Sequence, residues 1–331
     1  MTLPRALRIW GLLAAAALAV LTVSLMLGSV PVSFGALVDL VSGRGGGIAG
    51  EVVMRLRLPR ALAAFACGGL LASAGAMMQV LLRNPLADPY VLGISGGAAV
   101  FALAGLALML PFVWVQAGAF AGALAAIALV MSLSHRSFLR TGGHDSSARL
   151  LLTGVMLAAG MGAVATLILT LAPDASLRGM LFWLTGDLNG VDSVALPLGA
   201  LLLALLLVCP VAHELNALLR GDAVAQSVGV AVGRLRLRIY LAASLATAVA
   251  VTTAGSIGFV GLVVPHLLRL GFGNDQRMLL PASALGGGIL VMVADLAART
   301  LLAPTQLPVG AITALIGVPV FLWLLSKRPL P

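Results

Sequence analysis

Charge is what this sequence has least of. Only 9% of its residues are Asp, Glu, Lys or Arg, against about 25% in a soluble domain. So few charges cannot cover a water-exposed surface, which excludes an ordinary soluble enzyme. Lys327 is the only lysine, so no GxxxxGK[ST] phosphate loop can be written anywhere. The glycines from Gly255 to Gly261 have the wrong spacing for dinucleotide binding. Histidines number four. His213-Glu214 begins like HExxH, but Ala217 stands where the second histidine belongs, and His135 and His144 have no cysteine or carboxylate cluster around them. No Ser/His/Asp or paired-carboxylate set recurs within an apolar run, so no intramembrane catalytic centre is expected. The two cysteines, Cys67 and Cys209, lie inside apolar runs and read as packed thiols rather than a disulfide.

What is present is apolar. Hydrophobic residues make up 61% of the chain and mean hydropathy is +1.12. The 39 glycines suit membrane helices, whose backbones approach closely at small residues. The composition is that of a polytopic membrane protein. A net charge of +9 could suggest nucleic acid, but the basic residues punctuate the gaps between apolar runs, as topology signals do. The N-terminal run to about Leu27 resembles a signal peptide; its length and the lack of a small-x-small cleavage site favour a retained first span.

A helix needs about 20 apolar residues to cross a bilayer. Runs of that kind fall near 9–28, 61–82, 91–110, 112–134, 150–172, 193–212, 239–257, 279–298 and 307–326, with a shorter one at 258–271. Gly255-Ser256-Ile257-Gly258 supplies a break in an otherwise overlong stretch. Ten segments put both termini on one side. With the N-terminus cytoplasmic, only Arg44, Arg55, Arg57, Arg60, Arg178 and Arg299 fall outside and the other basic residues inside. The RLRLPR cluster, Arg55 to Arg60, is then an exception that needs a reason.

Two cytoplasmic stretches stand out. RNPLADPYVLGISGGAAV, 83–100, is stiff and polar between two apolar runs, with prolines that push their preceding residues out of helical geometry. It is either a rigid connector or a constriction beside a translocation path, because non-helical backbone at membrane depth survives only against protein or water. RGDAVAQSVGVAVGRLRLR, 220–238, holds a short helix over Ala223 to Val228, with Asp222 as N-cap and Gly229 as stop. It is either a mechanical contact for a cytosolic partner or a surface helix anchored by arginines at headgroups. Ionisable residues within spans are nearly missing apart from Asp295 and Arg299, which argues against an ion-coupled secondary transporter, the alternative reading.

Three blocks together carry a family resemblance: RLPRALAAFACGGLLASAGAMMQVLLRNPLADPYVLGISGGA (57–98), GDAVAQSVGV (221–230) and GFVGLVVPHLLRLGFGNDQRMLLP (258–281). The chain resembles the FecCD family, permeases of type II ABC importers for iron-siderophores, haem and cobalamin, from about residue 50 to Lys327. The resemblance implies an all-α, BtuC-like fold of about ten transmembrane helices, residues 1–331 forming one permease domain with a coupling loop at about 213–238. It implies a homodimer in the bacterial inner membrane with cytoplasmic termini, two cytosolic ATPases that use ATP and Mg, and a periplasmic binding protein docked outside. No cofactor, metal or nucleic acid is implied for this subunit. Arg57, Arg60 and Arg299 match positions that grip the binding protein, which would explain the RLRLPR exception. Asn84 and Leu86, with Ser147 and Ala148, match cytoplasmic gates. The Ser-Ala pair leaves narrowing by side-chain bulk at the second gate open. Gly221, Asp222, Ala223, Val224, Ala225, Gln226, Ser227, Val228 and Gly229 match the coupling helix that fits a cleft on the ATPase. Residues 174–192 match a short outer helix after span five.

Overall fold

A computed structural model gives the fold. It describes residues 2–28, 30–44, 46–139, 144–191 and 193–327, except the side chains at 135–139, 144–147, 325 and 327. Among them every regular element is helical. Helix α1, Leu3–Met26, opens the chain; α2, Phe34–Val41, and α3, Gly47–Glu51, follow as short helices. Helix α3 widens through a π-helical turn at Val52–Arg57 into α4, Leu58–Leu81, the central helix. Pro59 has no N–H for the carbonyl four residues back, so regular α pairing cannot run through this join. After α4 come a 3₁₀ turn, Pro89–Leu92, and then α5, Ile94–Ala107. Helices α6, Phe112–Leu139, and α7, His144–Leu171, are full spans. Then α8, Asp174–Thr185, lies between spans, and α9, Ala195–Val208, continues by a 3₁₀ turn into α10, Ala212–Leu219. The six-residue α11, Asp222–Ser227, precedes α12, Val232–Ala254, α13, Val260–Phe272, α14, Gln276–Thr300, and α15, Val309–Lys327.

Seven helical stretches are long and apolar enough to cross a membrane, and α5, α13 and α15 are shorter apolar helices. The ten expected segments are all helical, with shifted ends. The expected break at 255–258 falls between α12 and α13.

Helix α4 sits in the middle because its sequence lets neighbours touch its backbone. It packs against α14, α12, α13 and α9. A β-carbon on Gly68 would overlap the Gly287 carbonyl of α14, and one on Gly75 would overlap the Gly261 carbonyl of α13. Glycine therefore removes the steric limit at both crossings, and dispersion between close backbones replaces the hydrophobic drive that lipid cannot supply. The window of the Gly47–Leu81 stretch is 89% buried, whereas that of α7 is 11% buried. The first is a core element; the second offers nearly all its surface to lipid or to another chain.

Candidate coupling, gating and docking sites

The C-terminal end of α4 closes in a Schellman arrangement. The Asn84 amide donates to the Gln79 carbonyl and the Arg83 amide to the Val80 carbonyl. That geometry needs a left-handed residue after the C-cap, a place usually held by glycine. Here it is Arg83, at φ +48°, at a cost of roughly 1–2 kcal/mol. Beyond it Asn84 shapes the loop: its Oδ1 accepts from the Leu86 amide at 2.9 Å and its carbonyl from Ala87 at 3.1 Å. Asp88 Oδ1 accepts from the Tyr90 amide at 2.8 Å, starting the 3₁₀ turn. Leu86 is half-buried.

The Tyr90 hydroxyl then reaches across to the break between α12 and α13. It accepts from the Ile257 amide at 3.0 Å and donates to the Ile257 carbonyl at 3.1 Å. Asp187 adds an amide bond to the Ala254 carbonyl at 2.8 Å. Broken helix buried in apolar surroundings must find such partners. Gln79 plays the same part for α13. Pro265 leaves the Gly261 carbonyl without its usual donor, and Gln79 Nε2 approaches it at 3.5 Å and Leu262 at 3.3 Å, while Arg269 donates to Gln79 Oε1 at 2.6 Å. The irregular 83–94 stretch is thus a strut held at both ends.

Helix α11 differs from its expected form at the N-terminus. The cap is Gly221, at φ +120°, with no side-chain bond. Asp222 does not cap, because two arginines claim its carboxylate. Arg236 of α12 meets both oxygens at 3.0 and 2.9 Å, and Arg83 donates to Oδ1. Gly229, at φ +84°, donates to the Gln226 carbonyl and ends the helix where expected. Ala225 is buried against the bundle; Val224 and Val228 are 42% and 66% exposed.

At the opposite, N-terminal end of α4 a second aspartate is shared by two arginines. Asp295 of α14 is buried; Arg60 of α4 reaches its Oδ1 at 2.7 Å and Arg299 reaches Oδ2 at 3.0 Å. Arg60 also donates to Asn189 and, at 3.1 Å, to Gln306, while Arg299 donates to Ser24 Oγ of α1 at 2.8 Å. Arg57 is buried too, its guanidinium donating to the carbonyls of Leu25 and Met26 at the end of α1 and of Val30 just beyond it. Two guanidiniums therefore share the Asp295 carboxylate, Arg57 holds the carbonyl next to the Ser24 that Arg299 holds, and the cluster keeps a net positive charge. Beside it, a cavity of about 440 Å³ opens between α8 and the end of α12, lined by Leu106, Phe112, Arg178, Phe182, Trp183 and Asn189.

Of the sequence-derived sites, the structure brings Arg57, Arg60 and Arg299 together and sets the 221–229 segment beside the 83–88 loop that carries Asn84 and Leu86. Ala148 is exposed on α7; the Ser147 side chain lies outside the described residues. Residues 174–185 form the expected outer helix. Sequence reasoning missed Arg83, Arg236, Tyr90 and Gln79. One signal was available: an arginine where a helix stop invites glycine.

An all-helical bundle of long apolar helices around a buried, glycine-lined central helix, with a broken helix pair, defines the class as a polytopic membrane protein. The model of the FecCD transport family matches residues 16–327, and the chain belongs to that family. It is 40% identical over 293 residues to the hemin transport system permease protein HmuU of Yersinia pestis, covering 84% of each chain. It is 43% identical over 282 residues to the cobalamin import system permease protein BtuC of Halobacterium salinarum, covering 84% of this chain and 74% of that one. A solved inward-facing metal-chelate type ABC transporter superposes with a TM-score of 0.84 at 28% identity, over 97% of this chain and 99% of that one.

Proposed function

We propose that this chain is one half of a homodimeric, ATP-driven importer. It passes a bulky metal chelate (haem, cobalamin or an iron-siderophore) from a periplasmic binding protein across the bacterial inner membrane. The observation that carries the reading is α11. A six-residue helix with Val224 and Val228 turned outward and Asp222 tied inward is a poor solvent-facing element. It suits a cleft on a cytosolic partner. The subunit binds no cofactor and catalyses no reaction; two partner ATPases use ATP and Mg and push on α11. Both termini lie in the cytoplasm.

Transport is alternating access. The gate residues are Asn84 and Leu86 from the loop after α4, and Ser147 with Ala148 at the start of α7. The second copy sits along the exposed face of α7, where Gly160 and Gly162 leave open space for close approach. The net positive outer cluster of Arg57, Arg60 and Arg299 receives acidic groups of the binding protein and steers its encounter.

The test is purification of the assembled transporter. Val224→Arg is expected to release the ATPase partners while the permease remains folded; undiminished retention would remove the docking role of α11. Concentrative uptake by the permease alone in liposomes, driven only by an ion gradient, would replace this reading with a secondary transporter.

A further inference from the structure

We infer that Arg83 is the positioning residue that joins the coupling helix to the cytoplasmic gate, so that α11 and the 83–88 loop move as one piece. The inference rests on the reading of α11 as the ATPase docking point and names the link by which that contact reaches the gate.

Three observations carry it. The first is connectivity: Arg83 is the residue immediately before Asn84-Pro85, and its guanidinium donates to Asp222, the first residue of α11. The two segments are 139 positions apart in sequence, so this ion pair is a tertiary link. The second is the cost accepted to make it. Arg83 holds a left-handed backbone at φ +48° inside a helix stop that glycine would satisfy freely. Strain of that kind persists only where surrounding contacts over-determine it, and the contact Arg83 makes is with α11. The third is the shape of the junction. Asp222 is also held by Arg236 of α12, whose side chain is 5% exposed, whereas that of Arg83 is 30% exposed. The carboxylate therefore has a fixed anchor on α12 and a second, more accessible arm to the loop.

The alternatives are weaker. Arg83 as a topology signal alone needs no partner and no left-handed backbone. As a headgroup anchor it would point to solvent, yet its guanidinium is on Asp222. The groove lined by Glu214, Arg234 and Arg238 holds its own carboxylate, which disfavours an anion there.

The experiment uses the permease assembled with its ATPase partners in nanodiscs. Leu86→Cys is introduced with Cys67→Ala and Cys209→Ala, and labelling by a water-soluble maleimide is timed without nucleotide and with Mg-ATP and vanadate. In the parent the rate is expected to differ about tenfold between the two states, within the usual range of coupling between sites. In Arg83→Gly the difference should collapse to about twofold or less, with ATP hydrolysis still running. Arg83→Lys should restore most of it. Glycine suits the backbone at this position, so a folding defect does not explain the loss. Full nucleotide dependence in Arg83→Gly would overturn the link and leave the transport reading standing. Arg83→Lys behaving like Arg83→Gly would take the charge out of the account and overturn it as well. A parent that labels at one rate regardless of nucleotide would overturn the gate reading itself, and this inference with it.

Discussion

The molecule contains the same motif twice, one aspartate between two arginines, and uses it differently on its two faces. Outside, Asp295 belongs to the body of α14 and is buried, and its partners Arg60 and Arg299 are themselves pinned by Ser24, Asn189 and Gln306. Inside, Asp222 sits on a six-residue helix, and one of its two arginines is 30% exposed and comes from a loop. A buried charge cluster resists rearrangement, because every intermediate leaves a charge unpaired in a low-dielectric surrounding. A partly wet pair can shift at little cost. Under the proposed function, the Asp295 cluster holds a shape for something that docks, and the Asp222 cluster passes on a displacement.

Stability measurements can break that contrast. The largest expected effect is Asp295→Ala, which strands two guanidiniums and should cost roughly 3–5 kcal/mol. Thermal unfolding in detergent, followed by exposure of the buried Cys67 thiol, reads it. A loss no greater than that of Asp222→Ala would end the distinction between rigid and mobile clusters. Asp222→Asn should cost less, roughly 2 kcal/mol, the value of charge-assisted bonds at a partly wet site, while transport per ATP falls far more than stability does.

Arg60→Gln and Arg299→Gln sharpen the outer half. Each should weaken capture of the binding protein while ATPase retention in a pull-down stays at the parent level; equal capture would remove the docking assignment. Asp275 is a control outside both clusters. It caps α14, its Oδ1 accepting from the Arg277 amide, and the Arg277 guanidinium beside it holds its carboxyl well below the usual range. A carboxylate shifted downward contributes stability that is present above its unfolded pKa of about 3.9 and is lost only as pH falls through the folded value. Asp275→Ala should thus lower the melting temperature by an amount worth about 1 kcal/mol at neutral pH. That deficit should stay constant from pH 8 to about pH 5; one that vanished near pH 6 would contradict the shift. The smallest stability effect is Arg83→Gly, expected within about 1 kcal/mol of the parent, since the left-handed backbone glycine takes freely offsets the lost ion pair with Asp222. A large loss there would show that Arg83 supports the fold rather than linking two parts of it.

The membrane class, the ten segments and the break at 255–258 were legible because each rests on local composition: apolar length, basic punctuation and glycine-rich interruptions act over a few residues. The short helix over Ala223 to Val228 was legible for the same reason, through the Gly229 stop that follows it. The role of Asp222 was not. Locally it reads as an N-cap, and two arginines from elsewhere outbid that use. Arg57, Arg60 and Arg299 could be proposed as a set only through resemblance; their inward bonds to α1 and Asp295 could not.

By itself, then, the sequence determined which segments leave water and roughly where the apolar helices lie, because desolvation and backbone propensity are properties of short stretches. Only the tertiary structure decided which charge meets which. An ion pair between Arg83 and Asp222, or between Arg60 and Asp295, depends on how α4, α11, α12 and α14 pack, and the α4–α14 crossing is set by a glycine contact between helices far apart in the chain.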